Sequence, residues 1–443
     1  MCAASDPGLV ELAEEDCRPT ARARRGRVDL VVLVNGFPRL SETFVLHELL
    51  ELERQGVRLH VIALRHPEET VVQEATGRLQ AEVEYLPDLS EAAPRLALRV
   101  AHAALLLRRP TAYLHGLADA IASPDFTRTN LHRSVLLAHR LVRVGAPALY
   151  VHFAHKPATL GRFAALLAGV PYALSAHAKD IWLTPPPELA RKVRDAEVVL
   201  TCTAEGHRHL LELSAGRTPV SLAYHGVEVA ARMCGNASKA GPPVVLSVGR
   251  LVEKKGYDVL LRAAALVHER GVDFRLRIVG EGVEWARLQR LVHQLGLADR
   301  VAFLGPLSEA EVEIEYVRAN AFALACRELE NGDRDGIPNV LLEAMAHALP
   351  VVATTCAGVL EAVGDESALF APQDDPAALA AQLERLLLDA ALRDQLGTAA
   401  RAQVQQRFDR AETLPAVLSA LQAAGIVRLP VDAPLAQGLR AVA

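Results

Sequence analysis

The sequence predicts an α/β protein made of two doubly wound, Rossmann-like parallel-sheet domains that face each other across a central cleft. Three observations carry this. Short β-branched apolar runs alternate with amphipathic stretches of helical length in both halves. Glycines and prolines collect where the halves meet. The 443 residues are 51% hydrophobic, enough core for two or three ordinary domains.

Residues 1–26 are polar, contain Pro7 and Pro19, and lead into Arg22, Arg24, Arg25 and Arg27. They read as a mobile leader with solvated charges. The first domain, 27–226, opens with VDLVVLVN, a short apolar run typical of a buried strand. SETFVLHELLELERQG follows as a helix, with Val45, Leu49 and Leu52 at helical spacing and Gly56 as its stop. VRLHVIAL, ALYVHF and PYALSAH read as further strands, with helices over about 90–108 and 129–144. The linker, 227–243, holds Gly235, Asn236, Gly241, Pro242 and Pro243 and begins just after Gly226. The second domain, 244–408, alternates more cleanly. PPVVLSVGR, VDFRLRIVG, DRVAFLG, NAFALAC and LPVVATTC are strands, with helices such as YDVLLRAAALVHERG and VEWARLQRLVHQLGL between them. Residues 409–443 supply a last helix and a tail.

Composition narrows the function. Aromatics are only 4%, so Leu, Val and Ala must fill the cores. Residues 17–230 carry a net +5 and residues 231–443 a net −5. A mildly basic half suits an acidic partner or an anionic surface, and falls well short of a nucleic-acid binder. The six cysteines form no CxxC pair, which argues against a disulfide framework or zinc site and for a reducing compartment. With no signal-like leader and no bilayer-length apolar run, a cytoplasmic protein is expected.

Open parallel sheets bind ligands at the carboxyl ends of their strands, so the motifs that matter follow strands. Gly249-Arg250 through Lys255-Gly256 comes directly after VVLSV. Arg offers a fork to phosphate oxygens and Lys a point charge; the alternative is two basic side chains pointing into water. In DGIPNVLLEAMA, which contains Asn339, Pro338 fits the first turn of a helix, whose free N–H groups favour phosphate. Glu343, one and a half turns in, sits among apolar neighbours, where a carboxylate needs donors such as sugar hydroxyls. SAHAKDIW places His177, Lys179 and Asp180 after a strand of the first domain, although 13 of the 16 histidines lie in residues 1–230 and dilute the signal of any one. In NGFPRLSETF, Gly36 permits close backbone approach, Ser41 can cap the next helix, and Glu42 follows it.

Two fingerprints fail. Gly280 and Gly282 follow a strand, but Trp285 stands where a dinucleotide motif needs glycine, and no GxxxxGK[ST] is present. His152 and His155 lack a matching carboxylate pair for a metal. Glu328, Glu330, Asp333 and Asp335 crowd into eight residues, a possible cation site or simply a solvated acidic loop.

Taken together, the order of these motifs over residues 28–425 resembles the GT-B retaining glycosyltransferases of family four. The segments FPRLSETFV, HFAHKPATLGRFAALLAGVPYALSAHAKDIW and DRDGIPNVLLEAMAHALPVVAT resemble the bacterial exopolysaccharide, colanic-acid type. The resemblance implies a hexose moved from a nucleotide-sugar, a UDP-sugar favoured and GDP-mannose the alternative, to a glycan or lipid-linked acceptor. It implies retention, no metal and no other cofactor, and attack on the face the phosphate leaves. Arg250 and Lys255 match the pair on the diphosphate, and Glu343 the residue on the ribose. Asp335 matches the first acid of the E-x7-E pattern, at the transferred sugar, and His177 the cleft histidine. Gly36 and its neighbours match the loop that closes over donor and acceptor, with Ser41, Glu42, Lys179 and Asp180 on the acceptor side. The loops with Gly249, Gly280, Gly282 and Gly305 match the nucleotide's surroundings, with Pro338 and Asn339 near the phosphates. Two departures are Asp335, a methylene shorter than Glu, and Cys326, where serine is common. A lipid-linked acceptor gives meaning to Arg95, Arg99, Arg108 and Arg109 around LALRVAHAALLL, either a helix on the anionic inner face of the cell membrane or a buried helix with basic ends. The competing functions are an epimerase of the same fold and a non-catalytic nucleotide-sugar sensor.

Overall fold

Two separate sheets organise the chain, and within each every paired strand runs parallel to its neighbour. The computed structural model describes residues 28–39, 42–67, 73–87, 94–229 and 241–428. The leader, Ser41 and residues 230–240 of the linker lie outside them. The first sheet comprises β1 (Leu30–Gly36), β2 (Leu59–Arg65), β3 (Glu82–Tyr85), β4 (Leu149–His152), β5 (Tyr172–Ala176), β6 (Val198–Thr201) and β7 (Val220–Leu222). Their order is β3-β2-β1-β4-β5-β6-β7. The second sheet comprises β8 (Val244–Val248), β9 (Arg275–Val279), β10 (Val301–Gly305), β11 (Ala321–Leu324), β12 (Val351–Thr354) and β13 (Ala368–Ala371), ordered β10-β9-β8-β11-β12-β13.

The apolar run of β1 has no alternation because both faces are covered. Leu30, Val32 and Val34 share a core with Val45, Leu49 and Leu52 of the helix Thr43–Arg54. Val31 and Leu33 point the other way, into a core with Leu137 and Leu141 of the helix Arg128–Val144. The register Leu33↔Ile62 places the same face of β2 on the same side. The second sheet repeats the device: Val245 belongs to one core and Leu246 to another, the latter with Leu341, Leu342 and Met345.

Two local expectations change. The first helix begins at Thr43 with Glu42 at its cap and no side-chain capping bond, while Ser41 lies outside the described residues. Pro338 sits one position before the first turn, as the residue capping the helix Asn339–Ala346. The helix Lys156–Ala168 is buried nearly all round.

The chain crosses between the sheets twice, side by side. Val227 N–H donates to Phe408 O at 2.8 Å, and Arg410 N–H donates to Val227 O at 2.8 Å. At Gly226, with φ +66°, a Cβ would lie 2.2 Å from the Thr413 hydroxyl and 3.0 Å from the Arg410 Cα, so only glycine fits this crossing. The helix Arg410–Ala423 then returns to the first sheet, where Val417, Leu418 and Leu421 join the core of Leu30 and Val32.

Candidate active site at the cleft

Each sheet reverses its strand order once, between β1 and β4 and between β8 and β11, the points at which open parallel sheets form their ligand crevices. The second-sheet wall is built first by glycines. Gly249, Gly280 and Gly305 end β8, β9 and β10; Gly249 N–H donates to Val279 O at 3.0 Å and Gly280 N–H to Gly305 O at 2.8 Å. A Cβ on Gly280 would stand 2.1 Å from Gly249 O, and one on Gly282 2.3 Å from Leu251 O. Glycine therefore lets three strand ends close into one shelf of backbone.

The loop after β8 turns through Glu253–Lys255 and presses against the loop after β11. That packing delivers both lysines to the acidic loop. Lys255 Nζ lies 2.6 Å from Asp335 Oδ2, and Lys254 Nζ lies 3.2 Å from Asp335 Oδ1 and 2.9 Å from Asp333 Oδ1. Burial alone would raise the Asp335 carboxyl, but Lys255 and then Lys254 outweigh it and hold it well below the usual carboxylate range. Burial would likewise lower Lys255, and Asp335 instead raises it. Glu328 pairs with Arg334. The acidic loop is thus largely neutralised by cations of the chain, which leaves little of the excess negative charge a cation site needs. The Cys326 thiol, pushed well up by burial, donates to Asp335 Oδ2 at 3.5 Å. Arg250, earlier in the same loop as Lys255, is exposed. Glu343 is half-buried, and its Oε2 accepts a hydrogen bond of 2.9 Å from Tyr316, a buried residue the sequence did not single out.

The first-sheet wall carries imidazoles. His177, at the end of β5, is buried with Nδ1 3.1 Å from His225 Nε2. Phe44 stacks on His225 at 3.9 Å and lies 4.8 Å from His177. His177, His225 and Cys202 each bring one potential ligand atom within 4.8 Å of the others, close enough to suggest a metal. Each already has a use: the two nitrogens face each other, and the Cys202 thiol, raised by burial, donates to His177 O at 3.4 Å. His152 and His155 do not pair with each other in the described contacts; His152 Nε2 instead lies 3.6 Å from Glu48 Oε1.

The acceptor-side residues separate. Asp180 is buried, and its carboxylate accepts from the N–H groups of Ala154 (2.7 Å), Ala178 (2.9 Å) and His177 (3.2 Å), so it ties two strand-end loops together instead of facing a substrate. Lys179 is exposed, and Glu42 pairs with Arg39 at 2.8 Å. A Cβ on Gly36 would meet only ordinary contacts of 3.6 Å, so protein packing does not demand glycine there.

The walls touch. A Cβ on Gly336, next to Asp335, would stand 3.2 Å from His177 O. Arg334 pairs with Glu205 at 2.7 Å and lies 3.7 Å over the Trp182 ring. The Asn339 side chain hydrogen-bonds His225. Glu361 accepts from Ala204 N–H at 2.7 Å and from the Tyr224 hydroxyl at 2.9 Å. His225, Lys254, Arg334 and Trp182 joined the site only in three dimensions.

Away from the cleft, the helix Pro94–Arg108 buries Ala101 and Leu105 but leaves Leu96 (72%) and Leu107 (82%) exposed, beside exposed Arg99, Arg108 and Arg109. Among the described residues no helix is long and apolar enough to cross a membrane.

Residues 234–403, which hold the charged wall, match the family model described as glycosyl transferases group 1. The glycosyltransferase WcaL of Salmonella typhimurium, named for colanic acid biosynthesis, is 28% identical over 392 residues, 84% of this chain and 94% of that protein. A GDP-mannose-dependent α-(1-6)-phosphatidylinositol monomannoside mannosyltransferase of Mycobacterium tuberculosis is 33% identical over 179 residues, 40% of this chain and 46% of that one. The Anabaena protein HepE, solved in complex with UDP and glucose, shares the fold at a TM-score of 0.67 and 18% identity, over 89% of this chain and 99% of its own. Residues 234–403 thus match a group 1 glycosyl transferase domain, and the chain as a whole shares the GT-B fold of two Rossmann-like domains.

Proposed function

We propose that the protein is a retaining, metal-independent hexosyltransferase that moves a hexose from a nucleoside diphosphate sugar to a glycan or lipid-linked acceptor during surface polysaccharide assembly. The observation that carries this reading is the Lys255–Asp335 pair, on the same β8 loop as the exposed Arg250, at the β8/β11 switch point. Arg250 and Lys255 bind the diphosphate, where negative charge builds as the glycosyl bond breaks and a fixed cation stabilises most. Glu343, oriented by Tyr316, takes the ribose hydroxyls. Asp335 and His177 address the transferred sugar. Gly36, Glu42 and Lys179 serve the acceptor side, with Asp180 acting as the frame of its loop; Ser41, assigned to the same side by the sequence, lies outside the described residues. The acceptor hydroxyl attacks the anomeric carbon as the carbon–phosphate oxygen bond breaks, and its proton passes to the departing phosphate. No enzymic nucleophile is required.

Uridine is the favoured base, with GDP-mannose the alternative; the neighbour solved with UDP supports the first and the mannosyltransferase relative the second. The exposed leucines of the helix Pro94–Arg108, set among arginines, suit the anionic membrane face where a lipid-linked acceptor lies. A thermal-shift titration with UDP, GDP, ADP and CMP, with and without EDTA, tests the donor site. Selective stabilisation by UDP or GDP that survives EDTA is expected. No stabilisation by any nucleotide, or stabilisation abolished by EDTA, overturns the reading. Glu343→Ala should weaken donor binding by roughly 1.5–3 kcal/mol, as for a lost charged hydrogen bond.

A further inference from the structure

His177 does not stand alone in its wall. The ring of His225, 48 residues further along the chain, meets its Nδ1 at 3.1 Å. His225 is itself fixed on two sides, stacked on Phe44 with an interplanar angle of 6° and hydrogen-bonded to Asn339 of the opposite domain. His152 lies parallel to His177 at 5.6 Å and Phe153 is tilted against it at 4.8 Å, so the ring is packed from other directions as well. The second ring nitrogen, His177 Nε2, is buried and has no hydrogen-bond partner among the described residues.

A neutral imidazole has one N–H, and the partner of one nitrogen decides what the other offers. The single proton between His177 Nδ1 and His225 Nε2 therefore decides whether His177 Nε2 presents a lone pair or an N–H to a ligand. Without that partner both tautomers become accessible. We propose that His225 is a positioning residue: it fixes the ring plane and tautomer of His177, and Asn339 ties that setting to the contact between the two domains. The consequence for catalysis rests on the glycosyltransferase reading above; the ring pair rests on its own geometry.

His225→Phe keeps a ring against Phe44 and removes both hydrogen bonds, whereas His225→Gln returns a polar group near the position of Nε2. Three readouts separate the outcomes. Turnover is followed as nucleotide release from UDP-glucose or GDP-mannose, nucleotide affinity by thermal shift, and tautomer by imidazole 15N–1H spectra of histidine-labelled protein, with His177→Asn assigning the signal. We expect kcat of His225→Phe to fall on the order of tenfold to a hundredfold, as for a misplaced reacting group. Donor KM and nucleotide affinity should stay close to those of the parent. His177 should change from one tautomer to a mixture, and His225→Gln should recover part of the rate. Asn339→Ala, which retains both rings, should move the His225 signals and covers the case in which the Phe variant does not fold. Unchanged His177 signals, kcat within about twofold of the parent, or equal loss in the Phe and Gln variants overturns the proposal. So does one equivalent of bound zinc that is lost in His225→Phe, because His225 is then a ligand. If the parent protein neither binds nucleotide nor turns over a nucleotide-sugar, the functional reading fails by itself, and the spectra still decide the ring pair.

Discussion

The first-sheet wall holds three imidazoles without a full counter-charge, His152 and His177 buried and His225 half-buried, and desolvation pushes His152 and His225 down to about 3 and His177 well below its ordinary value. The second-sheet wall sets the half-buried Lys255 and Asp335 against each other, and there the partner outweighs desolvation and drives both further into their charged forms. The same low-dielectric setting thus gives opposite results, depending on whether the opposite charge is within contact. One wall offers neutral, directional hydrogen bonds, and the other offers fixed charge. The proposed donor, a nucleoside diphosphate sugar, has matching ends: a diphosphate that needs cations and a hexose that needs directional partners.

The sharpest way to break this contrast is Lys255→Ala. It leaves Asp335 with Lys254 alone and removes the cation nearest the proposed leaving group. Turnover should fall by at least about a hundredfold, with a smaller loss of donor affinity. Steady-state kinetics beside nucleotide titration checks this; an affinity loss with kcat intact would remove the leaving-group role.

Acidification tests the neutral wall. The three histidines have folded values below the ordinary 6.5, so the folded state binds fewer protons than the unfolded chain. Their contribution is complete above pH 6.5 and is lost as pH falls toward 3. Glu48, raised to about 7 by burial, works in the other direction and loses its contribution as pH rises from 4.5 to 7. Between pH 6.5 and 4.5 three groups oppose one, so stability should drop on acidification, by on the order of 1 kcal/mol per histidine. Asp335, depressed instead, stabilises above its ordinary 3.8 and should hold the charged wall through this window. The chain's two tryptophans fall one in each half, Trp182 and Trp285. Urea unfolding of Trp182→Phe and Trp285→Phe at pH 7 and 5 therefore reads the halves separately. Equal losses would erase the contrast.

Two smaller effects sharpen the comparison. Arg334→Ala removes the cation over Trp182 and the pair to Glu205, at a cost of about 1 kcal/mol, and should uncouple the unfolding of the two halves. Concerted unfolding in that variant would show the clasp to be incidental. Tyr316→Phe removes only the hydroxyl that orients Glu343 and should weaken nucleotide binding by about 0.5–1.5 kcal/mol, measured by titration calorimetry. An effect as large as that of Glu343→Ala would mean that Tyr316 meets the ligand itself.

Much of the second wall was legible along the chain, because its parts lie in short loops after strands. Gly249 through Lys255 is one such loop, and Asp335 and Glu343 flank the start of one helix. The first wall was legible only as the histidine in SAHAKDIW. Its partner His225, the Tyr316 hydroxyl behind Glu343 and the Arg334–Trp182 contact all join residues far apart in sequence, and no local spacing encodes them. Asp180 shows the opposite case. It reads as a substrate-facing acid because an acid beside a site motif looks available, and only the folded loops reveal the three N–H groups it serves.

The sequence by itself determined the two doubly wound sheets, since apolar runs of strand length set between helical periods can bury both faces only in that way. It also determined which loops carry glycine, lysine and acid. Tertiary structure alone decided which charges are paired and which rings are neutral. A residue's protonation follows from its burial and from the groups that other elements bring within a few ångströms, and that proximity exists only once both sheets and the returning helix Arg410–Ala423 have packed.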